Sequence, residues 1–248
     1  MVKTYVGHRI IHLESVDSTN NYVAKLKNEG NISSGAVILS DIQTDGRGQR
    51  ANKWQSNPFE NLTFSFLLEP QFVNNISSIT INHCVSLALL DFLATFKINA
   101  RIKWPNDIYV DKRKIAGILI ENNFKSGSVN YSIIGVGVNI NQTIFDELKA
   151  TSLREITGKA VNVKSVLFEI IFHLNARLYA FTNTSAEIIK GYYDAFLCNM
   201  NESVSYLYKG KSAEGIIRGT DELGNILIEQ MDEILTFRNG EIKLKMRD

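Results

Sequence analysis

The sequence is poor in cysteine. Cys84 and Cys198 are the only two among 248 residues, and neither belongs to a C-x-x-C pair. This argues against a disulfide framework and against a cysteine-built zinc site. Histidine is scarce as well, at four. His8 and His12 are spaced i, i+4, but no cysteine or carboxylate cluster accompanies them, so no metal site is expected there. The N-terminal stretch MVKTYVGHRIIHLES lacks the apolar run and small-residue cleavage site of a secretion signal. No stretch of roughly 18 apolar residues, the length a membrane helix needs, stands out. The expectation is a cytoplasmic protein with no membrane partner. An excess of charge of one sign is also lacking. A net charge of +1 leaves no electrostatic footprint for DNA, so any basic function must be local.

What is present is ordinary for a globular chain. Hydrophobic residues make up 44% and charged residues 21%, enough to build a packed core without covalent staples. The length fits one sizeable domain with a small appendage, or one large domain. Apolar spacing predicts a helix over 21–29, with Asp17 or Ser18 as N-cap and Gly30 just past its end. Residues 36–40 read as a short buried strand. A polar stretch over 41–61 is long enough to be a functional loop. Alternation places Phe64, Phe66 and Leu68 on one face of a strand over 63–68. A helix is predicted over 76–96. Strands over 101–104 and 108–110 flank a Pro-Asn-Asp turn. Asp111-Lys112-Arg113 and Lys125-Ser126-Gly127-Ser128 read as hairpin turns leading into strands over 114–121 and 129–139. This meander predicts a mixed sheet with antiparallel pairs. Helices follow over 163–181 and 187–196. From about Asn199 the texture changes to short strands over 204–208, 213–218, 226–229, 234–237 and 242–244. Gly210, Gly219, Gly224 and Gly240 punctuate them, which predicts a small β-barrel or sandwich.

Three segments carry chemistry. In Gln43-Thr44-Asp45-Gly46-Arg47-Gly48-Gln49-Arg50-Ala51-Asn52-Lys53-Trp54, two glycines bracket an arginine. Glycines let backbone N–H groups approach an anion, and Arg47, Arg50 and Lys53 supply charge-assisted hydrogen bonds to phosphate. The competing reading is a solvated basic loop. It is not a Walker A loop, because G-x-x-x-x-G-K-[ST] does not occur. In the second segment, Lys103-Trp104-Pro105-Asn106-Asp107 precedes Lys114, which opens an otherwise apolar strand. A cation there either meets an anion or snorkels to water. Asn106 and Asp107 either build the turn or bind a ligand. In the third, Gly135-Val136-Gly137-Val138-Asn139 lacks the third glycine of a dinucleotide motif. Its alternating glycines mark close backbone approach to a ligand or another strand.

Taken in order and spacing, SVDSTN, QTDGRGQRANKW, KWPNDIYVDKRKIAGILIE and GVGVNIN resemble the biotin–protein ligases (biotin–[acetyl-CoA-carboxylase] ligases). GIIRGTDELGNILIE and Asn239-Gly240-Glu241-Ile242 resemble the small C-terminal barrel of that family. The likeness runs from about Gly7 to Leu244, and G-R-G…W together with KWPND…K-x-A-G carries it. The resemblance implies an α+β fold, a class II aminoacyl-tRNA synthetase-like mixed sheet flanked by helices. It implies a catalytic domain over 1–198 and an SH3-like domain over 199–248. The implied activity is ATP- and Mg²⁺-dependent activation of biotin as biotinyl-5′-AMP, then transfer to a lysine of a biotin carboxyl carrier protein. The implied roles follow. Ser18, Thr19, Asn20 and Gln43 would lie against biotin. Gly46, Arg47, Gly48 and Gln49 would form the loop over its carboxylate and the phosphates. Lys114 would contact the carboxylate and the α-phosphate, and Gly117, Gly135 and Gly137 would leave room for the rings. Arg50, Trp54, Asn106 and Asn139 would sit near the nucleotide. Arg47, Lys114 and Asp107 would be catalytic, Asp107 near the acceptor lysine or a metal.

The chain departs from that family's pattern in two places. Many relatives carry an arginine where Gln49 stands and a basic residue where Asn52 stands, so the loop brings less charge. The Ser-Thr-Asn segment also begins at residue 18, which leaves no room for the N-terminal winged-helix DNA-binding domain of some members, so no DNA partner is expected. The family leaves a sheet-edge homodimer open. Rival readings are a lipoate–protein ligase, a biotin-sensing repressor, and a biotin-binding module that has lost catalysis.

Overall fold

The computed structural model describes residues 4–50, 52–73, 77–145 and 149–245. Its larger sheet contains β1 (Ile10–Val16), β2 (Val37–Gln43), β3 (Leu62–Leu68), β4 (Arg101–Lys103), β5 (Asp107–Val110), β6 (Arg113–Lys125) and β7 (Ser128–Val138). Their spatial order is β1-β2-β3-β7-β6-β5-β4. β1 and β2 are parallel and joined through helix α1 (Thr19–Asn28), while the other neighbours are antiparallel. Both anticipated hairpin turns are present. Asp111 and Lys112 take φ of 44° and 67°, and Ser126 and Gly127 take 53° and 81°, the paired positive angles that suit the twist of a tight hairpin. β1 escaped the sequence reading because its burial follows no clean alternation.

Both faces of the sheet are covered. Phe64, Phe66 and Leu68 share a core with α2 (Ser78–Thr95) and α4 (Val163–Phe181). Leu67 points the other way and joins Val23, Ile38 and Ile133 beneath α1. So β3 is buried on both faces, where alternation had promised one. Ile76, the expected first residue of α2, lies outside the described residues. Over its length α2 has a mean hydropathy of 1.3 and meets the length and composition of a membrane span. It passes by length and average composition and is not an unbroken apolar run. Polar residues such as Asn82, His83 and Ser86 interrupt its apolar run. Its residues are mostly buried inside the protein, against α4 and α5 (Ala186–Ala195). A short helix, α3 (Leu153–Thr157), was not anticipated.

The smaller sheet contains β8 (Ser203–Tyr208), β9 (Lys211–Thr220), β10 (Ile226–Gln230), β11 (Glu233–Phe237) and β12 (Ile242–Lys245). All its pairs are antiparallel, in the order β11-β10-β9-β8-β12. Its inward residues Val204, Tyr206, Ile217, Ile226, Ile228 and Phe237 belong to the same apolar core as the larger sheet. Polar bonds reinforce that junction. Lys190 of α5 donates to Asp194 and to the Thr220 carbonyl, at 2.8 and 2.9 Å. Thr220 donates to Asp194 at 2.7 Å, and the Trp104 indole donates to the Gly224 carbonyl at 2.9 Å.

Candidate functional site

Cross-strand register builds the floor of the site. Thr63 pairs with Gly137, Gly137 with Gly117, and Gly117 with Asp107. One row lower, Ser65 pairs with Gly135. Side chains at these positions share one face of the sheet, and the glycines keep that row low. Above it lies a cleft of about 750 Å³. The N-terminus of α1, the 43–54 segment, the Pro105-Asn106-Asp107 turn and the turns of the smaller sheet wall it in.

One end of the cleft is a closed polar network. Ser18 has the extended backbone of an N-cap, yet its hydroxyl makes no capping bond. Thr19 donates from its backbone N–H and its hydroxyl to Gln43 Oε1, at 2.8 and 3.1 Å. Its hydroxyl also lies 2.6 Å from that of Ser65, which donates to Asn20 Oδ1 at 2.6 Å. Asn20 Nδ2 donates to Glu121 at 2.8 Å. Thr19, Asn20 and Ser65 are all buried, and buried polar groups that satisfy one another in a chain are held rigidly. A Cβ at position 135 would strike Asn20 Oδ1, so only glycine fits opposite that amide.

Further along, two cations are held by carboxylates. Arg47 makes a forked contact with Glu121, at 2.6 and 3.3 Å, and donates to Asn21 Oδ1 at 2.7 Å. Asn21 in turn donates to Asp17, and that hydrogen bond is the main reason the Asp17 carboxyl sits below its ordinary range. The Arg47 and Glu121 side chains are 42% and 34% exposed, so their pairing is worth at most about 1 kcal/mol and an incoming anion can replace it. Lys114 does not run out to bulk water. Its Nζ lies 2.7 Å from Asp107 Oδ1 and 5.4 Å from the centre of the Trp54 ring. A Cβ on Gly117 would crowd that ammonium at 3.0 Å. Nearby Tyr109 is pushed up to about 12, first by burial and then by the charge of Asp107, so it stays a neutral phenol. The Trp54 indole lies over Gly137, where a Cβ would overlap it. Its buried Nε1–H has no hydrogen-bond partner.

The glycine–arginine segment is folded on itself. Trp54 N–H donates to the Gly46 carbonyl at 2.9 Å and Gly48 N–H to the Asn52 carbonyl at 2.8 Å. Lys53 pairs with Asp45 at 2.8 Å, and that hydrogen bond raises the lysine above its ordinary value. Gly46 faces the Trp54 carbonyl and is not part of the cleft wall. Gln49 and Arg50 reach across to the smaller sheet.

Most of the residues singled out in the sequence therefore meet in one cleft. Ser18, Thr19, Asn20, Gln43, Arg47, Gly48, Gln49, Arg50, Trp54, Asn106, Asp107, Lys114, Gly117, Gly135 and Gly137 all line it. Asn139 does not. It is buried beneath the floor, and its amide donates to the carbonyls of Thr151 and Lys114 at 3.0 and 3.4 Å. Its role here is to tie the end of β7 to neighbouring backbone. Asn106 lines the cleft, but its amide donates to the Ile118 carbonyl at 2.5 Å and its own carbonyl accepts from Ile118 N–H at 3.0 Å. Sequence reasoning missed Ser65 and Glu121. Glu121 had a visible signal, a carboxylate at the end of an apolar strand, of the same kind that exposed Lys114. Among the described residues, no three His, Cys, Asp or Glu side chains gather as a metal centre.

Fold and cleft together define an α+β protein with one polar cleft, lined by both sheets, into which Arg47 and Lys114 face. The sequence model of the family described as "Biotin/lipoate A/B protein ligase family" matches residues 12–139. The chain is 31% identical to the bifunctional ligase/repressor BirA of Escherichia coli over 96% of this chain and 75% of that protein. A biotin–[acetyl-CoA-carboxylase] ligase of Paracoccus denitrificans is 33% identical over 52% of this chain and 53% of its own length. Among solved structures, biotin protein ligase from Aquifex aeolicus in complex with biotin and ATP is 32% identical, with a TM-score of 0.81. That match covers 97% of this chain and 100% of the other. The chain belongs to the biotin/lipoate A/B protein ligase family. Its mixed sheet flanked by helices and its small antiparallel C-terminal sheet are the architecture the motifs implied, the second consistent with an SH3-like unit.

Proposed function

We propose that this protein is an ATP-dependent ligase that activates biotin as biotinyl-5′-AMP and passes it to a lysine of a biotin carboxyl carrier protein. The observation that carries this reading is the polarity gradient along the cleft. A preassembled network of uncharged side chains, Thr19, Asn20, Gln43 and Ser65, stands at one end, Glu121 joins it through Asn20, and the cations Arg47, on Glu121, and Lys114 line the same cleft. Biotin has that same sequence of groups: a ureido ring that both donates and accepts, an apolar linker, and a carboxylate. Lipoate carries a dithiolane ring with no comparable donors. The Ser18 hydroxyl, which makes no capping bond, and the remaining donor and acceptor capacity of the Thr19 and Asn20 side chains are matched by a ureido ring and not by a dithiolane. A site that hydrogen-bonds its ligand discriminates against one that cannot answer. This favours biotin over lipoate.

In this reading the biotin carboxylate attacks the α-phosphorus of ATP and pyrophosphate departs. Lys114 and Arg47 stabilise the negative charge that builds on the α-phosphoryl group, the kind of electrostatic contribution that often dominates such steps. To do so they leave Asp107 and Glu121. Asp107, once released, orients the acceptor amine, which must be deprotonated to attack the acyl carbonyl; the carbon–oxygen bond to the phosphate breaks and AMP leaves as the amide forms. The glycine–arginine loop covers the adenylate and excludes water. Mg²⁺ would screen phosphate charge and would arrive with the triphosphate, since no group of three metal-binding side chains stands ready among the described residues. We also infer cytoplasmic residence, no DNA partner, in keeping with the net charge of +1, and the division into 1–198 and 199–248. A homodimer through a sheet edge is tested by sedimentation.

The decisive experiment mixes the protein with ATP, Mg²⁺, biotin and an apo carrier domain. The carrier should gain the mass of one biotinyl group. Biotin-dependent exchange of label between ATP and pyrophosphate should accompany it, with lipoate unable to replace biotin. Failure of both assays would overturn the enzyme reading. Tight biotin binding without exchange would instead support a module that has lost catalysis.

A further inference from the structure

The tip of the glycine–arginine segment is fastened to the other end of the chain. Arg50 sits at a left-handed φ of 60°. Its Nη2 donates to the Asn239 carbonyl at 2.6 Å and its Nη1 to the Gly240 carbonyl at 3.4 Å. Asn239 Nδ2 donates to Gln49 Oε1 at 2.9 Å. Residue 240 has to be glycine for this to happen. Its φ is 84°, and a Cβ built there would fall inside the Arg50 guanidinium. The receiving turn is itself fixed. Arg238 N–H donates to the Glu241 carboxylate at 2.8 Å, and Glu241 N–H donates to the Arg238 carbonyl at 3.0 Å. Among the described residues, Arg50 has no carboxylate partner. Two peptide carbonyls hold it in place and leave its charge uncancelled.

We infer that the Asn239–Gly240 turn is the latch of the glycine–arginine loop, and that Arg50, Gln49, Asn239 and Gly240 are positioning residues for biotin activation. This rests on the reading of the cleft as a biotin and ATP site. It reassigns Arg50 from the nucleotide to the loop tip. It also gives Gln49 a role as a neutral hydrogen-bonding partner, at a position where many relatives carry a cation. Arg47 is three residues from Arg50, on the same short turn closed by the Gly48–Asn52 and Trp54–Gly46 hydrogen bonds. Fixing the tip therefore fixes the reach of Arg47 into the cleft. The polar network around Thr19 and Asn20 makes no direct contact with the 239–240 turn and is joined to the loop through Glu121, which Asn20 and Arg47 share, so biotin binding depends on the latch far less than the nucleotide does.

The test uses the full chain with three variants: Arg50→Ala, Gly240→Ala and the two combined. Exchange between ATP and pyrophosphate is followed against ATP concentration, biotin binding is followed by calorimetry, and tryptic cleavage after Lys53 is timed in protein without ligand. Each single variant should raise KM for ATP about tenfold or more, leave biotin binding within about threefold, and speed cleavage after Lys53 severalfold. The double variant should be no worse than either single one, because both break the same contact. Arg50→Lys should restore part of the loss, since one ammonium can still reach a carbonyl. If Arg50→Ala raises KM while Gly240→Ala does not, Arg50 acts on the nucleotide directly and the latch is overturned. If neither moves KM or cleavage, it is overturned as well. Should Gly240→Ala fail to fold, Gln49→Ala takes its place, with a smaller effect in the same direction. If the unaltered protein shows no biotin-dependent exchange, the substrate reading fails, and the cleavage rates alone then decide the latch.

Discussion

The two ends of the cleft are held by different kinds of bond. At the α1 end, short side chains of Thr19, Asn20 and Ser65 bond to one another inside the protein. Short side chains lose little rotamer entropy on ordering, and a buried network has no water competing for it. At the loop end, Arg47, Arg50 and Lys53 are long and exposed, and their partners are carboxylates or carbonyls at the surface. Such bonds exchange readily with solvent or with an anion. On the proposed reading, the first end recognises one fixed shape, and the second lets go of one partner and takes another, as activation and transfer both require.

Predictions follow from that contrast, the largest first. Lys114→Ala removes a cation that the proposed mechanism sets against the α-phosphoryl group, and it takes away the ion-pair partner of Asp107. Biotin-dependent exchange should fall by roughly a hundredfold or more. Biotin binding by calorimetry should change far less, and a loss confined to binding would contradict the assignment. Gly135→Ala drives a methyl group into Asn20 Oδ1 and attacks the rigid end. Biotin affinity should drop about tenfold, in line with the loss of a buried hydrogen bond, while KM for ATP stays nearly constant. Equal changes in both would mean that the two ends are coupled.

A third prediction concerns the junction between the sheets. His83 is buried against Tyr193, with ring centroids 4.1 Å apart, and the Tyr193 hydroxyl donates to the Pro105 carbonyl at 2.8 Å. Burial lowers its pKa from 6.5 to about 4, against the carboxylate of Asp194, which raises it, and with the ammonium of Lys190, which lowers it. A histidine depressed in the folded state contributes stability above its unfolded pKa and loses it as pH falls toward the folded value. Stability should therefore decline between about pH 6.5 and 4, by roughly 2 kcal/mol at pH 5. His83→Gln should flatten that decline in urea titrations. The smallest effect is expected from Glu121→Gln. Global stability should move by less than about 1 kcal/mol, while AMP should bind more tightly in the absence of biotin because Arg47 is no longer held by a charge. Unchanged AMP affinity would remove Glu121 as a competitor for Arg47.

Local chemistry was legible in the sequence and distant pairing was not. The hairpin turns at 111–112 and 126–127 could be read because their residues state the backbone angles they need. Lys114 could be read because a cation on an apolar strand demands a partner. Asn139 was misplaced, since an amide after alternating glycines looks the same whether it faces a ligand or a peptide carbonyl. β3 looked one-sided because the residues on its second face are Thr63, Ser65 and Leu67, and the first two are polar yet buried. Gln49 looked like a missing charge until Asn239, 190 positions away, was seen to meet it. No property of a single residue announces a partner at that separation.

That separation also has a consequence in time. The chain is made from its N-terminus, at about 5–20 residues per second. The loop around Arg50 leaves the ribosome long before the turn it fastens to, an interval of roughly 10–40 seconds at that pace. Only after residue 137 has been made does the rigid end of the cleft have its parts, Ser65, Glu121, Gly135 and Gly137 included, and the loop still has no anchor then. The turn that fastens the loop is thus among the last parts of the cleft wall to be made, after every residue of the polar network that it faces.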